Sequence, residues 1–153
     1  MRSSSPSDRG TGWVVAQFAL IAVILALGAV PPIWPDWMRA LGIPVSLAGA
    51  ALAIWAGRTM GSSLTPFPRP RADGVLVESG PFAIVRHPIY AAGTLFFLGY
   101  GLLASVPATI ATIALAALWH FKARIEERHL GQQFPGYEDY RRRVRRRMLP
   151  YVL

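Results

Sequence analysis

Two short stretches carry residue types that could do chemistry. Arg86-His87-Pro88-Ile89-Tyr90 follows a Gly80-Pro81 turn and contains one of only three histidines in the chain. Pro88 suits the first turn of a helix, because its missing N–H would be unpaired there anyway. A helix start offers free N–H groups and the positive end of the dipole, so Arg86 and His87 beside it read as an anion site. The plainer role for the pair is to anchor a helix at lipid headgroups. The second stretch is Glu126-Glu127. Adjacent side chains on a helix point about 100° apart, so the two carboxylates cannot take one partner in the same way. An inward carboxylate would hold a cationic group. The bland alternative is a solvated helix end that pairs with Lys122 and Arg128 for little gain. Ionisable residues at a membrane boundary favour the functional role.

Other chemistries are not expected. His87, His120 and His129 match no usual metal-ligand spacing, and the chain has no cysteine, so a metal site and disulfides are both left out. A Gly-rich dinucleotide fingerprint, a P-loop and a Gly-x-Ser-x-Gly elbow are all missing from the sequence.

The elements that must position these residues are membrane helices. The 153 residues are 53% hydrophobic and only 16% charged, too apolar for a soluble basic protein despite a net charge of +8. The expected fold is all-α: an integral membrane protein with four transmembrane helices, the last two a tight hairpin, plus a cytosolic amphipathic C-terminal helix. The helices are placed at about 13–30, 41–60, 88–106 and 108–130, long enough or nearly so for a hydrocarbon core of about 30 Å. Residues 1–12 are polar and Ser-rich and read as disordered, and 13–153 form one domain. Pro31-Pro32 stops the first helix. Ile33–Gly42 reads as a connector, with Trp34 and Trp37 suited to the interface. Gly49 and the alanines of the second run suit close helix packing. A long Pro/Gly-rich loop, Gly57–Val85, joins the two halves.

In the tail, Tyr137, Tyr140, Val144, Met148 and Tyr151 recur every three or four residues, predicting a helix over about 137–148. Six arginines fill most of its other faces, the pattern of a helix lying on anionic membrane lipid. Beside four membrane segments lipid headgroups are the nearer polyanion, so no nucleic-acid partner is expected. With four spans, every one of the 16 basic residues except Arg39 falls on the same side as the termini. The positive-inside rule then puts both termini, the long loop and the tail in the cytosol, with the protein in the inner (plasma) membrane. It also puts Arg86-His87 and Glu126-Glu127 at one membrane face.

Gly80-Pro-Phe-Ala-Ile-Val-Arg-His-Pro-Ile-Tyr90 with Gly93, a hydrophobic hairpin, Glu126-Glu127, and then Phe134-Pro-Gly-Tyr-Glu-Asp-Tyr140 with Val144 resembles the isoprenylcysteine carboxyl methyltransferase family. More broadly it resembles the phospholipid methyltransferase-like membrane enzymes. The resemblance runs from roughly Leu64 to the C-terminus. It implies S-adenosylmethionine as methyl donor and a lipophilic acceptor reached from the bilayer. It further implies a cofactor pocket formed by Arg86, His87, Pro88, Tyr90, Gly93, Glu126 and Glu127. The cofactor's carboxylate would suit Arg86, His87 or the helix start, and its ammonium would suit Glu126 or Glu127. Gly93 would let cofactor or another helix approach closely. The chain lacks the extra helices of eukaryotic prenyl-protein methyltransferases, and nothing in it marks a prenyl-cysteine pocket. Sterol reductases share a related C-terminal half and use NADPH, a second reading; a non-catalytic membrane protein with a degenerate pocket is a third. Cofactor binding separates the three.

Overall fold

The computed structural model describes residues 10–148, and every regular element among them is helical. The expected disorder of the N-terminus falls mostly outside the described residues, as does Tyr151. Five α-helices follow one another: α1 (Thr11–Leu27), α2 (Asp36–Met60), α3 (Pro88–Ala104), α4 (Val106–Gln133) and α5 (Tyr137–Arg143). Short 3-10 turns cover Gly61–Ser63 and Gly80–Ala83.

The last two long helices form the expected hairpin, with a turn of one residue. Ser105 caps α4 by accepting from the Ala108 N–H at 3.2 Å, and Pro107 occupies the first turn, where it loses no helical bond. The Ser105 hydroxyl also donates to the Leu27 carbonyl at 2.7 Å, tying the hairpin to the end of α1. Helix α2 lies along α3 through a seam of small residues. A Cβ on Gly42 would come within 2.5 Å of the Gly99 carbonyl oxygen, and Gly49 and Gly99 face backbone just as closely. Backbones meet at this range only where both helices lack bulk, as in membrane helix packing. The core of the bundle joins Ile24, Ala108, Leu115 and Trp119 from α1 and α4.

α2 with the turn that follows it (Asp36–Ser63) and α4 are long and apolar enough to cross a membrane. α1 and α3 are apolar but have 17 residues each. Large side chains point outward, among them Phe18, Leu47, Ile54, Ile110, Ile113 and Phe121. Water does not tolerate so much exposed apolar surface on a small protein, and lipid does.

Two expectations are corrected. Residues 36–42 are not a connector: α2 starts at Asp36, behind Pro35. The polar residues there are helical, and Asp36 pairs with Arg39 across one turn at 3.3 Å. The tail helix stops at Arg143 rather than continuing to 148. Its apolar face is not free for the membrane surface either. Tyr137, Tyr140, Val144 and Met148 are all buried within the protein, the first three against Leu76, Leu130 and Phe134.

Candidate functional site

The site forms where the start of α3, the far end of α4 and the tail converge. His87 stands just before α3, which opens on Pro88. The tail runs alongside this junction in extended form. The Arg86 N–H donates to the Arg146 carbonyl at 3.0 Å and the His87 N–H to the Arg147 carbonyl at 2.8 Å. The Arg86 guanidinium turns the same way. Its Nη1 donates to the carbonyls of Val144 and Arg145, both at 2.7 Å, and its Nε donates to Glu127 Oε1 at 3.0 Å. These partners explain where the tail helix ends: carbonyls that could continue a helix are bonded to Arg86 and His87 instead.

Glu127 is the hub of a buried charge cluster. Besides Arg86, it receives Arg147 in two-pronged fashion, Nε to Oε1 at 2.9 Å and Nη2 to Oε2 at 3.0 Å. His87 Nε2 lies 3.2 Å from the same Oε1. Both side chains of the Arg86–Glu127 pair are only 6% exposed. Glu126 points the other way. It accepts from the Tyr90 hydroxyl at 2.9 Å and stands 3.7 Å from His87 Nδ1, so His87 lies between the two carboxylates. The His87 and Tyr90 rings are nearly parallel, 5.6 Å apart, and Tyr90 and Trp119 repeat the arrangement at 5.7 Å.

Glu126 and this aromatic column border a cavity of about 320 Å³. Its walls are mostly apolar, from Leu64, Val75, Leu76, Phe82, Ile89 and Leu130. Concave apolar space with a few convergent polar groups is the usual form of a small-molecule site. Arg86, His87, Tyr90 and Glu126 line it together; Pro88, Gly93 and Glu127 do not. Pro88 is buried and opens the helix. Gly93 makes room for Trp119, whose Cη2 would lie 2.5 Å from a Cβ there. Glu127 faces a second, polar hollow bordered by Arg124, Arg128, Arg141 and Arg147.

Gln17, Lys122, Tyr137 and Tyr140 also line the cavity, although none of them is in the expected cofactor set. Gln17, the one polar side chain in the first apolar run, accepts from Trp119 Nε1 at 3.2 Å and from Lys122 Nζ at 2.6 Å. Lys122 also donates to the Pro66 carbonyl at 2.6 Å. Its place four residues before Glu126 is a signal that it shares that residue's face. Tyr137 and Tyr140 border the cavity from below. Burial pushes both phenols well above their ordinary pKa, so each stays a neutral hydroxyl. The Tyr140 hydroxyl donates to the Phe82 carbonyl at 2.8 Å, whereas that of Tyr137 has no partner among the described residues.

Residues 37–136 match the family described as phospholipid methyltransferase. The chain belongs to that family. The match spans α2, α3 and α4 and so contains both stretches that build the site. Two curated relatives are similar over a longer range. The chain is 31% identical to the cobalt-zinc-cadmium resistance protein CzcN of Cupriavidus metallidurans over 142 residues, 88% of this chain and 60% of that protein. It is 28% identical to the nickel-cobalt-cadmium resistance protein NccN of Alcaligenes xylosoxydans xylosoxydans over 138 residues, 86% of this chain and 59% of that protein. The chain thus spans about three-fifths of the length of these relatives. Among the described residues, no group of three or more His, Cys, Asp or Glu side chains could hold a metal ion.

Proposed function

We propose that this family member transfers a methyl group from S-adenosylmethionine to a lipophilic acceptor at the cytosolic face of the membrane, in the manner of isoprenylcysteine carboxyl methyltransferases. The observation that carries the reading is the cavity itself. It joins a carboxylate held by Tyr90, an aromatic column and a buried phenol with no partner among the described residues, at the meeting point of α3 and α4.

The residues present fit the cofactor. Glu126 suits its ammonium, and the faces of Tyr90 and Trp119 suit a planar base or a cationic sulfur. The Tyr137 hydroxyl offers a hydrogen bond that no described residue takes. When bound, S-adenosylmethionine supplies an electrophilic methyl group on a sulfonium. The chain's own part is to position and to exclude water: the apolar walls keep the cavity dry, and holding two reactants in line can supply much of the acceleration. Arg86 and Glu127, spent on each other and on the tail, act here as the frame that fixes His87.

Incubating the purified protein in lipid with methyl-labelled S-adenosylmethionine, followed by mass spectrometry of the extract, tests the reading. A labelled lipophilic product is expected, and a wild type that binds no S-adenosylmethionine would overturn it. The relatives' names place those two proteins in metal resistance; for this chain the same setting would make the acceptor a membrane component of metal-stressed cells.

The topology proposed with this function has four spans and both termini cytosolic. At 1.5 Å per residue the two 17-residue helices reach about 25 Å, close to the hydrocarbon thickness. A reporter fused after Leu153 should read as cytosolic, and an extracytosolic signal would place the cavity on the side without cofactor. The exposed arginines of α5 together with Arg124 and Arg128 would then face the anionic headgroups of the cytosolic leaflet.

Tyr137→Phe separates binding from folding. The hydroxyl makes no bond within the described protein, so its loss should leave the melting temperature unchanged or slightly raised. A lost hydrogen bond to ligand should weaken S-adenosylmethionine by about 3- to 10-fold, read by isothermal titration. Unchanged affinity would take Tyr137 out of the ligand's reach.

A further inference from the structure

Lys122 is the most anomalous side chain in the molecule. Its relative exposure is 0%, it lies on a long apolar helix, and no carboxylate among the described residues comes within ion-pairing distance. Its ammonium has two neutral acceptors, Gln17 Oε1 and the Pro66 carbonyl, and lies 5.4 Å from the centre of the Tyr90 ring. An ammonium has three donors, so one is left without an acceptor among the described residues. Burying a charge without a counter-ion costs several kcal/mol, and such residues inside membrane proteins mark ligand paths.

Lys122 borders the same cavity as Glu126. The two are four residues apart on α4, so they sit on one face, one helical turn from each other. Tyr90 stands between them, its hydroxyl on Glu126 and its ring near the ammonium. A carboxylate and an ammonium side by side in apolar walls complement a zwitterion. Arg86 is not the cation for this task, because its guanidinium is taken by Glu127 and two tail carbonyls.

We propose that Lys122 receives the carboxylate of the methyl donor's amino-acid head, with Glu126 receiving the ammonium of the same head. The inference rests on the methyl-transfer reading and moves the carboxylate's partner from Arg86, which Glu127 and the tail engage, to Lys122, a residue outside both motifs. Gln17 and the Pro66 carbonyl hold the ammonium at the cavity wall, so α1 and the loop before α3 both contribute to recognition.

The test compares two ligands on one preparation, by isothermal titration of detergent-purified full-length protein. S-adenosylhomocysteine carries the amino-acid head; 5′-methylthioadenosine lacks it. For Lys122→Met, affinity for S-adenosylhomocysteine should fall by at least about 10-fold, with less than about 3-fold change for 5′-methylthioadenosine. A ratio measured on the same sample is insensitive to a fraction of misfolded protein. Equal losses for both ligands would make Lys122 a purely structural clamp and overturn the assignment, as would no loss for either. Dodecanoate, a lipophilic carboxylate, is titrated in parallel: a loss confined to it would move the anion to the acceptor and also overturn the proposal. A wild type that binds the two nucleosides but shows no dependence on Lys122 defeats this inference alone. A wild type that binds neither defeats the methyl-transfer reading and this inference with it.

Discussion

Replacing Glu127 with alanine should destabilise the protein by about 3–5 kcal/mol, the usual effect of removing one partner from a buried ion pair. The cause is the number of groups that lose their anion at once. Arg86 is buried and would keep its charge beside Val144 and Arg145 carbonyls alone. Arg147 would lose both of its carboxylate bonds, and His87 would lose the oxygen 3.2 Å from Nε2. The tail should loosen with them, because Arg147 ties it to α4 while its backbone is bonded to Arg86 and His87. Thermal unfolding in detergent reads the stability, and trypsin reads the tail, since Arg145 and Arg146 offer exposed cleavage sites. Arg147→Ala should show the same direction with a smaller effect, as its side chain is 18% exposed and Glu127 keeps Arg86. A Glu127→Ala protein that melts like wild type and resists trypsin equally would show that the cluster holds nothing together.

How much of this was legible in the sequence depends on the range of the interaction. Local rules served the hairpin: Pro88 at the start of α3 is a signal within one turn of the chain, while the break expected near 107 falls at Ser105, whose cap on α4 only the structure shows. Gly49 also announced close packing, and it meets α3 backbone. The tail shows the limit. Its three-to-four spacing picks out Tyr137, Tyr140, Val144 and Met148, which are buried within the protein rather than turned to the membrane surface, and a helix was only one way to bury them. Arg86 offers stronger partners to the carbonyls of Val144 and Arg145 than a further helical turn would, and no local pattern reports a contact 58 residues away. The start of α2 was hidden for the opposite reason: hydropathy drops at Asp36 and Arg39, yet the helix continues through them because they pair along its exposed side.

The site was legible in its residue types and less so in their division of labour. Adjacent glutamates must diverge, and the sequence says so, but which one turns inward is decided by α3 and the tail. Tyr90 meets Glu126, while Arg86 and Arg147 meet Glu127. Lys122 and Gln17 were visible only as a charge and as a polar interruption, since their pairing joins the first and fourth long helices.

That division gives the final expected result. Glu126→Gln should lower S-adenosylmethionine affinity by about 10- to 100-fold, the loss that follows removal of one charge from a charge-assisted bond to ligand. The fold should be nearly untouched, within about 0.5 kcal/mol, because glutamine keeps the volume and its amide oxygen still accepts from the Tyr90 hydroxyl. The carboxylate's other neighbour, His87, sits at 3.7 Å, beyond a hydrogen bond, so little protein binding is lost. Isothermal titration and thermal unfolding on the same preparations decide it, and the two glutamates should separate cleanly: Glu126→Gln fails in binding while it melts normally, and Glu127→Ala fails in melting first. If Glu126→Gln binds as tightly as wild type, the cavity has no ammonium partner there. The pairing with Lys122 would lose its meaning as well, because a lone cation beside apolar walls selects any anion, whereas a cation and a carboxylate one turn apart select an amino-acid head.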